Sequence, residues 1–582
     1  MKLRYKILFI AIALIGLSSC KDFLEKVPDT RVYLVNLDQL EQLLVTAYTQ
    51  TNYAALGELS SDNVIDTNSP SEDGMRYNYS SYNQYDEQIY AWEDVTLDIS
   101  DSDTPSGIWN GCYAAIAAAN AVLEKLGEFE TEGAIEGEAI TANDRARMDA
   151  IRGEALMIRA YHHYILAQIF CMPYSGPQKS ATLPGIPYAT KPETELDPKY
   201  DRGTLQQTYD NIENDMLEGL KYISEDFYEV PKYHFNIAAS HAFAARFYTA
   251  KREYEKVIEH ANASFKGTKP EAMRNDFWDK DFYDLDNGAR YYTSVDRPGN
   301  YMMIDTYSTW LRRWGHRFWT AREGLRGSIG GPGPSWENCK FSYGSGKNKE
   351  EWSMMPCFMN SFLSSSAHSE YGAIFLGTCW EQFEYTDKIA GIGYVHMIRP
   401  EFTSQDVILL RAEANLFLGN VDAAFEDLYL WNHDHLKLDS TANYNMVELT
   451  KDLIVKFYNE DYQRRRDYTK FGIMKEFHID EICPCEHPMT PEIEPYMQCI
   501  QHFRRIQNIH MGNRWFDIKR YGFSITHKMG INRVITLEVN DPRYAIQIPN
   551  EVIGAGLEPN PRPTPVVYQS MPVTRDARIV NN

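Results

Sequence analysis

The chain has 582 residues, 43% of them hydrophobic and 24% charged, which excludes a disordered chain, a collagen-like repeat and a multi-span membrane protein. Lys and Arg number 58 against 81 Asp and Glu, for a net charge of −23. The average surface therefore repels a polyanion, and nucleic acid is not an expected partner. Aromatic residues make up 13%, with 39 Tyr and 11 Trp, and rings with a polar tip suit surfaces that are half wet.

The N-terminus reads as an address. Lys2, Arg4 and Lys6 precede an uncharged apolar run of eleven residues, Ile7 to Leu17. That is too short to span a bilayer, which takes roughly 20 residues, and has the length of a signal-peptide core. Leu17-Ser18-Ser19-Cys20 resembles the lipobox of bacterial lipoproteins. The resemblance implies a signal peptide over 1–19 and an acylated Cys20 as the mature N-terminus; two or more acyl chains anchor stably where one does not. Lys21-Asp22 behind the cysteine resembles surface-export signals of Bacteroidetes lipoproteins. The expectation is a lipid-anchored protein on the outer membrane, facing outward.

Apolar periodicity predicts helices further on. Trp109–Leu126 is Ala-rich and closes near Gly127. In Asp144–Phe170, Met148, Ile151, Ala155, Ile158, His162, Ile165 and Ile169 fall on one stripe, which makes His162 a core histidine rather than a ligand. Thr204–Ile223 starts at a plausible N-cap, Thr204. Two helix pairs follow. Ala238, Ala242, Ala245 and Tyr248 face Tyr254, Val257, Ile258 and Ala261 across a turn near Arg252. Val407, Leu410, Ala414 and Phe417 face Val421, Ala424, Phe425 and Leu428 across Gly419-Asn420. Small residues let paired helices pack closely, as in tetratricopeptide repeats. Between 267 and 400 the periodicity vanishes and Gly-rich, aromatic-rich sequence predicts loops and short strands. The Pro-rich tail over 541–582 should wrap over the helices.

Four separated places then match a known family. Cys20-Lys21-Asp22-Phe23-Leu24-Glu25 with Pro28 is similar to the opening of the SusD/RagB outer-membrane nutrient-binding lipoproteins. Tyr90-Ala91-Trp92, Trp109, Tyr113, Asn120, Arg152-Gly153-Glu154-Ala155 and Arg159-Ala160-Tyr161 resemble its first helices. Leu410-Arg411-Ala412-Glu413-Ala414 resembles a later helix, and Arg514 to Gly522 with Ile548-Pro549-Asn550-Glu551 its C-terminal signatures. One departure is Met511, where the family has an acid before the glycine that is Gly512 here.

The resemblance implies a mainly α fold: a SusD-like, tetratricopeptide-like scaffold of helical pairs over about 36–265 and 400–540, in a single domain over 20–582. A loop-rich, partly β insertion over about 267–400 would form the ligand face. It also implies a partner, a SusC-like TonB-dependent outer-membrane barrel, and ligands that are mostly glycans, or peptides in the RagB type.

Catalytic signatures are mostly absent. There is no His-Glu-x-x-His and no Gly-x-Ser-x-Gly; Phe341 breaks a P-loop ending at Gly346-Lys347, and Gly391-Ile392-Gly393 reads as a turn. Asp98, Asp101 and Asp103 suggest a solvated acidic turn rather than a calcium loop. Cys483, Cys485 and Cys499 lack the usual zinc spacing and read as free thiols or one disulfide. No cofactor and no metal is expected, although 81 acidic residues leave a glycan-degrading enzyme open as a rival.

The positive signal is aromatic. Tyr77, Tyr79, Tyr82 and Trp92 cluster in one region, and Trp310, Trp314 and Trp319 in another, with Arg76 and Arg313 nearby for hydrogen bonds. Rings of this kind stack on the apolar face of a sugar, each contributing roughly 1.5–2 kcal/mol for ~70 Å² covered. The expectation is a surface lipoprotein that captures oligosaccharide through these residues and delivers it to the barrel without catalysis.

Overall fold

The computed structural model describes residues 34–70, 75–76, 78, 83–96, 101–194, 199–265, 270, 285–313, 316–320, 329–330, 332–336, 341–343, 350–352, 364–365, 374–375, 380–435, 447–460, 472–563, 569–570 and 578–579. The fold is mainly helical. Helix α1 spans Leu37–Thr46, α2 Pro105–Glu132, α3 Ala142–Phe170 and α4 Leu205–Gly219. Helices α5 (Ile237–Lys251) and α6 (Tyr254–Ser264) form one pair, and α7 (Ser404–Phe417) and α8 (Val421–His435) a second. Helices α9 (Glu494–Gln507) and α10 (Asn513–Tyr521) close the scaffold.

Local sequence starts and stops these helices. Thr141 with Asp144 forms a capping box at α3, and Thr204 with Gln207 another at α4. Asn236 caps α5, accepting from Ala239 N at 2.9 Å, and Thr403 caps α7, accepting from Asp406 N at 3.2 Å. Helix α2 does not close near Gly127. It runs on to Gly133, whose left-handed φ of 66° ends it. An interior glycine costs about 1 kcal/mol, and burial of Phe129 beyond it outweighs that.

Pairing follows from the small faces. Ala242 and Ala245 of α5 and Val257 and Ala261 of α6 are sealed between those helices. Helix α6 packs on α7, α7 on α8 and α9, and α2 and α4 flank α3. His162 is buried on the α3 stripe, with its Nδ1 bonded to the Ile158 carbonyl at 2.8 Å, and burial holds its pKa down to about 4.

The aperiodic region holds a real sheet. Strand β1 (Asn300–Thr306), β2 (Gln382–Asp387) and β3 (Ile392–Thr403) form an antiparallel sheet in the order β2-β3-β1. Strand β3 changes character along its length: exposed at its tip and buried at its base, where it runs into α7. That change erases the alternation by which a strand is recognised in sequence. The tail lies across α3: Ile546 N donates to the Ile169 carbonyl at 3.0 Å and Asn560 Nδ2 to the Phe170 carbonyl at 2.9 Å.

Candidate functional site

Several residues expected to meet a ligand are inside. Trp92 is buried, its indole stacked on His527 at 4.1 Å and its Nε1 donating to the Ser60 carbonyl at 2.9 Å. Trp310 and Trp319 are buried against each other at 4.4 Å, and Trp319 also pairs with Ile65 in a two-residue strand. Arg313 is buried too, donating to Tyr85 Oη at 2.7 Å with Asp86 at 3.5 Å and Asp103 at 3.6 Å. Indoles offer the largest apolar area of any side chain, and each of these finds a ring partner in the core. In this structure these four residues serve the core rather than a ligand. Arg76 is half-buried on a short strand, Met75–Arg76, paired in parallel with Arg578–Ile579. Tyr77, Tyr79, Tyr82, Trp314 and Cys20 lie outside the described residues.

Of the acidic turn, Asp98 lies outside the described residues, Asp101 is half-buried and Asp103 is not solvated. Asp103 is buried and accepts from Thr309 N at 2.8 Å and Thr309 Oγ1 at 2.9 Å, while Asp101 accepts from Tyr85 Oη at 2.9 Å. Burial pushes Asp86 up to about 6 and Asp103 in the same direction, although Arg313 opposes both. Among the described residues no three His, Cys, Asp or Glu side chains are arranged to hold a metal ion. Cys483, Cys485 and Cys499 are free thiols.

Two rings that face outward side by side are on the hairpin of β2 and β3. Phe383 and Tyr385 are 47% and 53% exposed, and their rings meet edge-on at 4.8 Å. Register pairs Phe383 with Val395 and Tyr385 with Gly393. A side chain at 393 would run into the Phe383 ring and the Glu384 carbonyl, so only glycine fits there.

The opposite face of the same hairpin carries a second group. Glu384 pairs with Tyr394, and Tyr394 donates its hydroxyl hydrogen to Glu384 Oε2 at 2.6 Å. Tyr394 meets Tyr307 edge-on at 5.4 Å and His396 at 5.9 Å. Tyr307 Oη accepts from Gln50 Nε2 at 3.2 Å, and His396 Nδ1 bonds Asp305 Oδ1 at 2.6 Å. Beside it, the exposed Arg312 donates to Glu381 Oε1 at 2.8 Å. The hydrogen bond to Glu384 raises the Tyr394 phenol to about 12, and that to Asp305 raises His396. The hairpin therefore carries bare rings on one face and, on the other, rings beside fixed donors and acceptors, the arrangement that holds a molecule with one apolar face and a hydroxylated edge.

Comparison with known proteins bears on this geometry. The SusD-like_3 family, described as starch-binding and associating with the outer membrane, matches residues 22–249. Over that stretch the chain is similar to the SusD-like family. No curated protein matches it. A SusD superfamily protein from Bacteroides thetaiotaomicron shares 17% identity, covers 91% of this chain and 100% of its own, and superposes with a TM-score of 0.54. A SusD superfamily protein from Bacteroides fragilis shares 15%, over 89% of this chain and 97% of its own, with a TM-score of 0.56. A Bacteroides vulgatus protein provisionally named as sugar binding shares 16%, over 91% and 99%, with a TM-score of 0.55. These likenesses establish a SusD fold along nearly the whole chain.

The motifs that carry the resemblance prove to be scaffold. Glu413 accepts from Arg520 Nη2 at 3.0 Å and from Tyr521 Oη at 2.7 Å, which joins two of them in space. Arg504 links Asp517 and Asp406, both at 3.0 Å, and Arg159 of α3 grips Asp215 of α4 at 2.6 Å. At the Met511 departure, the carboxylate serving the turn comes from Glu58, whose Oε1 accepts from Gly512 N at 3.0 Å. The hairpin rings were missed because they lie on a strand. The signal available was Phe383 and Tyr385, two apart and separated by a charge, within the stretch read as loops and short strands.

Proposed function

We propose that this SusD-like protein captures oligosaccharides on the hairpin of β2 and β3 and hands them, unchanged, to a SusC-like TonB-dependent barrel. The family's description as starch-binding and the sugar-binding name of one structural relative support the ligand class. The observation that carries the reading is the exposed pair Phe383 and Tyr385, backed by Tyr394 and Tyr307 on the reverse face. Two or three such rings, each contributing roughly 1.5–2 kcal/mol, give capture in the micromolar to millimolar range. That strength suits a protein that must release its cargo. Trp314 follows the turn bearing Arg312 in the chain, and it is kept as a proposed contact together with Tyr77, Tyr79 and Tyr82.

The family's association with the outer membrane supports the location. Among the described residues no helix is long and apolar enough to cross a membrane. Acylation at Cys20 would supply the anchor, and Cys20→Ser should then release the protein from the outer-membrane fraction.

The function is tested on a glycan array with the full chain, read alongside an assay for reducing ends. Binding without product supports the proposal. Steady release of reducing ends identifies an enzyme, and selective capture of peptides identifies a RagB-type lid; either outcome overturns it.

A further inference from the structure

Among the described residues, three cavities have room for little more than one water, at about 10, 20 and 40 Å³. Another is about 320 Å³, at the lower end of the range of small-molecule sites, about 300–1,000 Å³. It lies between the turn Pro231–Tyr233, the start of α5, the end of α6 and the start of β1. It is thus at the opposite end of β1 from the hairpin rings. Tyr301 lines it and Tyr307 belongs to the hairpin surface. Six residues of strand at about 3.3 Å each separate them by roughly 20 Å.

The walls are held before anything enters. Lys232 Nζ donates to the Val295 carbonyl at 2.7 Å and the Arg297 carbonyl at 2.8 Å. Asn236 Nδ2 donates to the Tyr301 carbonyl at 2.7 Å, tying the α5 cap to β1. Two of the three ammonium N–H bonds of Lys232 are thereby used, and one is left for a guest. Glu225 Oε1 accepts from Ile237 N at 3.1 Å, and its Oε2 accepts nothing from the described residues. The Phe265 and Tyr301 rings complete the lining. Around the rim, Val230, Tyr233 and Ile237 are exposed apolar groups.

A site with two ring walls, one spare cationic donor and one spare anionic acceptor fits a neutral guest that has an apolar face and hydroxyls able both to accept and to donate. We propose that this cavity is a second binding pocket, separate from the hairpin, which accepts a single pyranose residue. Lys232 donates to one hydroxyl oxygen, Glu225 accepts from another hydroxyl, and the sugar's C–H face lies between Phe265 and Tyr301.

The test uses the full chain in detergent, with glucose, galactose, mannose, xylose and N-acetylglucosamine as free monosaccharides, read by saturation-transfer nuclear magnetic resonance. At least one pyranose should bind saturably in the millimolar range. Ala238→Trp, which fills the cavity from its wall, should weaken that binding at least tenfold. Glu225→Gln, which adds no volume and turns the acceptor into a donor, should weaken it threefold or more, and it serves as the readout if the Trp variant does not fold. In a Tyr394→Ala background, which removes stacking at the hairpin, the component of binding that Ala238→Trp abolishes should persist. Binding by none of the five sugars overturns the pocket, as does binding indifferent to both cavity variants. Loss of all saturable binding in Tyr394→Ala assigns the signal to the hairpin and likewise overturns it. The two sites fail separately, because oligosaccharide capture by the hairpin is also measured in Ala238→Trp and Glu225→Gln, where it should persist.

Discussion

Tyr394 and Glu384 face each other across the β2–β3 hairpin, with the phenol donating to the carboxylate at 2.6 Å. The bond fixes the angle of a half-buried ring, which is what a stacking platform needs.

Removing the platform and removing its tether should therefore differ. Tyr394→Ala should weaken oligosaccharide binding about 10- to 30-fold, the equivalent of roughly 1.5–2 kcal/mol of stacking. Tyr394→Phe keeps the ring and should cost less than threefold. Phe383→Ala should resemble the former. Because these side chains lie outside the core, melting temperatures should stay within about 2 °C. Affinity electrophoresis reads the first effect and calorimetry the second; equal losses in the Phe and Ala variants would show that the hydroxyl, not the ring, binds.

The second prediction concerns His396, whose pKa is raised by its bond to Asp305. The protonated imidazole is favoured in the folded state. The pair's contribution is therefore fully present below the ordinary histidine value of about 6.5 and is lost as pH rises through the folded value. A nuclear magnetic resonance titration should place the His396 midpoint above 6.5 in the native chain and nearer 6.5 in Asp305→Asn. Identical midpoints would remove Asp305 as the cause.

Glu58 works in the other direction. Burial lifts its carboxyl to about 7, against the opposing bonds from Gly512 N and Asn63. The folded state keeps a proton that the unfolded chain releases near 4.5, so stability falls as pH rises between those values, by about 3 kcal/mol in all. The free energy of unfolding, followed with urea from pH 5 to pH 8, should fall less steeply in Glu58→Gln than in the native chain. Parallel curves would mean that Glu58 is ionised throughout.

A fourth prediction addresses the scaffold. Glu413 is buried with Arg520 and Tyr521 as partners. Truncating one member of a buried pair leaves the other charge uncompensated, at a cost of about 3–5 kcal/mol. Glu413→Ala should lower the urea-unfolding free energy by that amount, while glycan binding measured well below the transition stays native. A loss under about 1 kcal/mol would show that water reaches Arg520 in the variant.

Much of the scaffold was legible because helices advertise themselves locally. Thr141, Thr204 and Asn236 each cap a helix within three residues of themselves, and the small faces of α5 and α7 repeat with the helical period. The candidate site was legible only as a region. Composition announced many rings between 267 and 400, yet Trp310 and Trp319 went inside while Phe383 and Tyr385 stayed out. Nothing local separates them, since an indole beside arginines reads alike on a surface and under one.

The amino-acid order alone determined the helical-pair architecture, the family signatures and the absence of a familiar catalytic motif, because caps, periodicity and short motifs act over a few residues. Only the tertiary structure decided which rings are wet. That depends on partners far away in the chain: His527 covers Trp92 and His510 packs on Trp319, whereas no comparable lid closes over the tip of the hairpin, where Phe383 and Tyr385 remain exposed among the described residues.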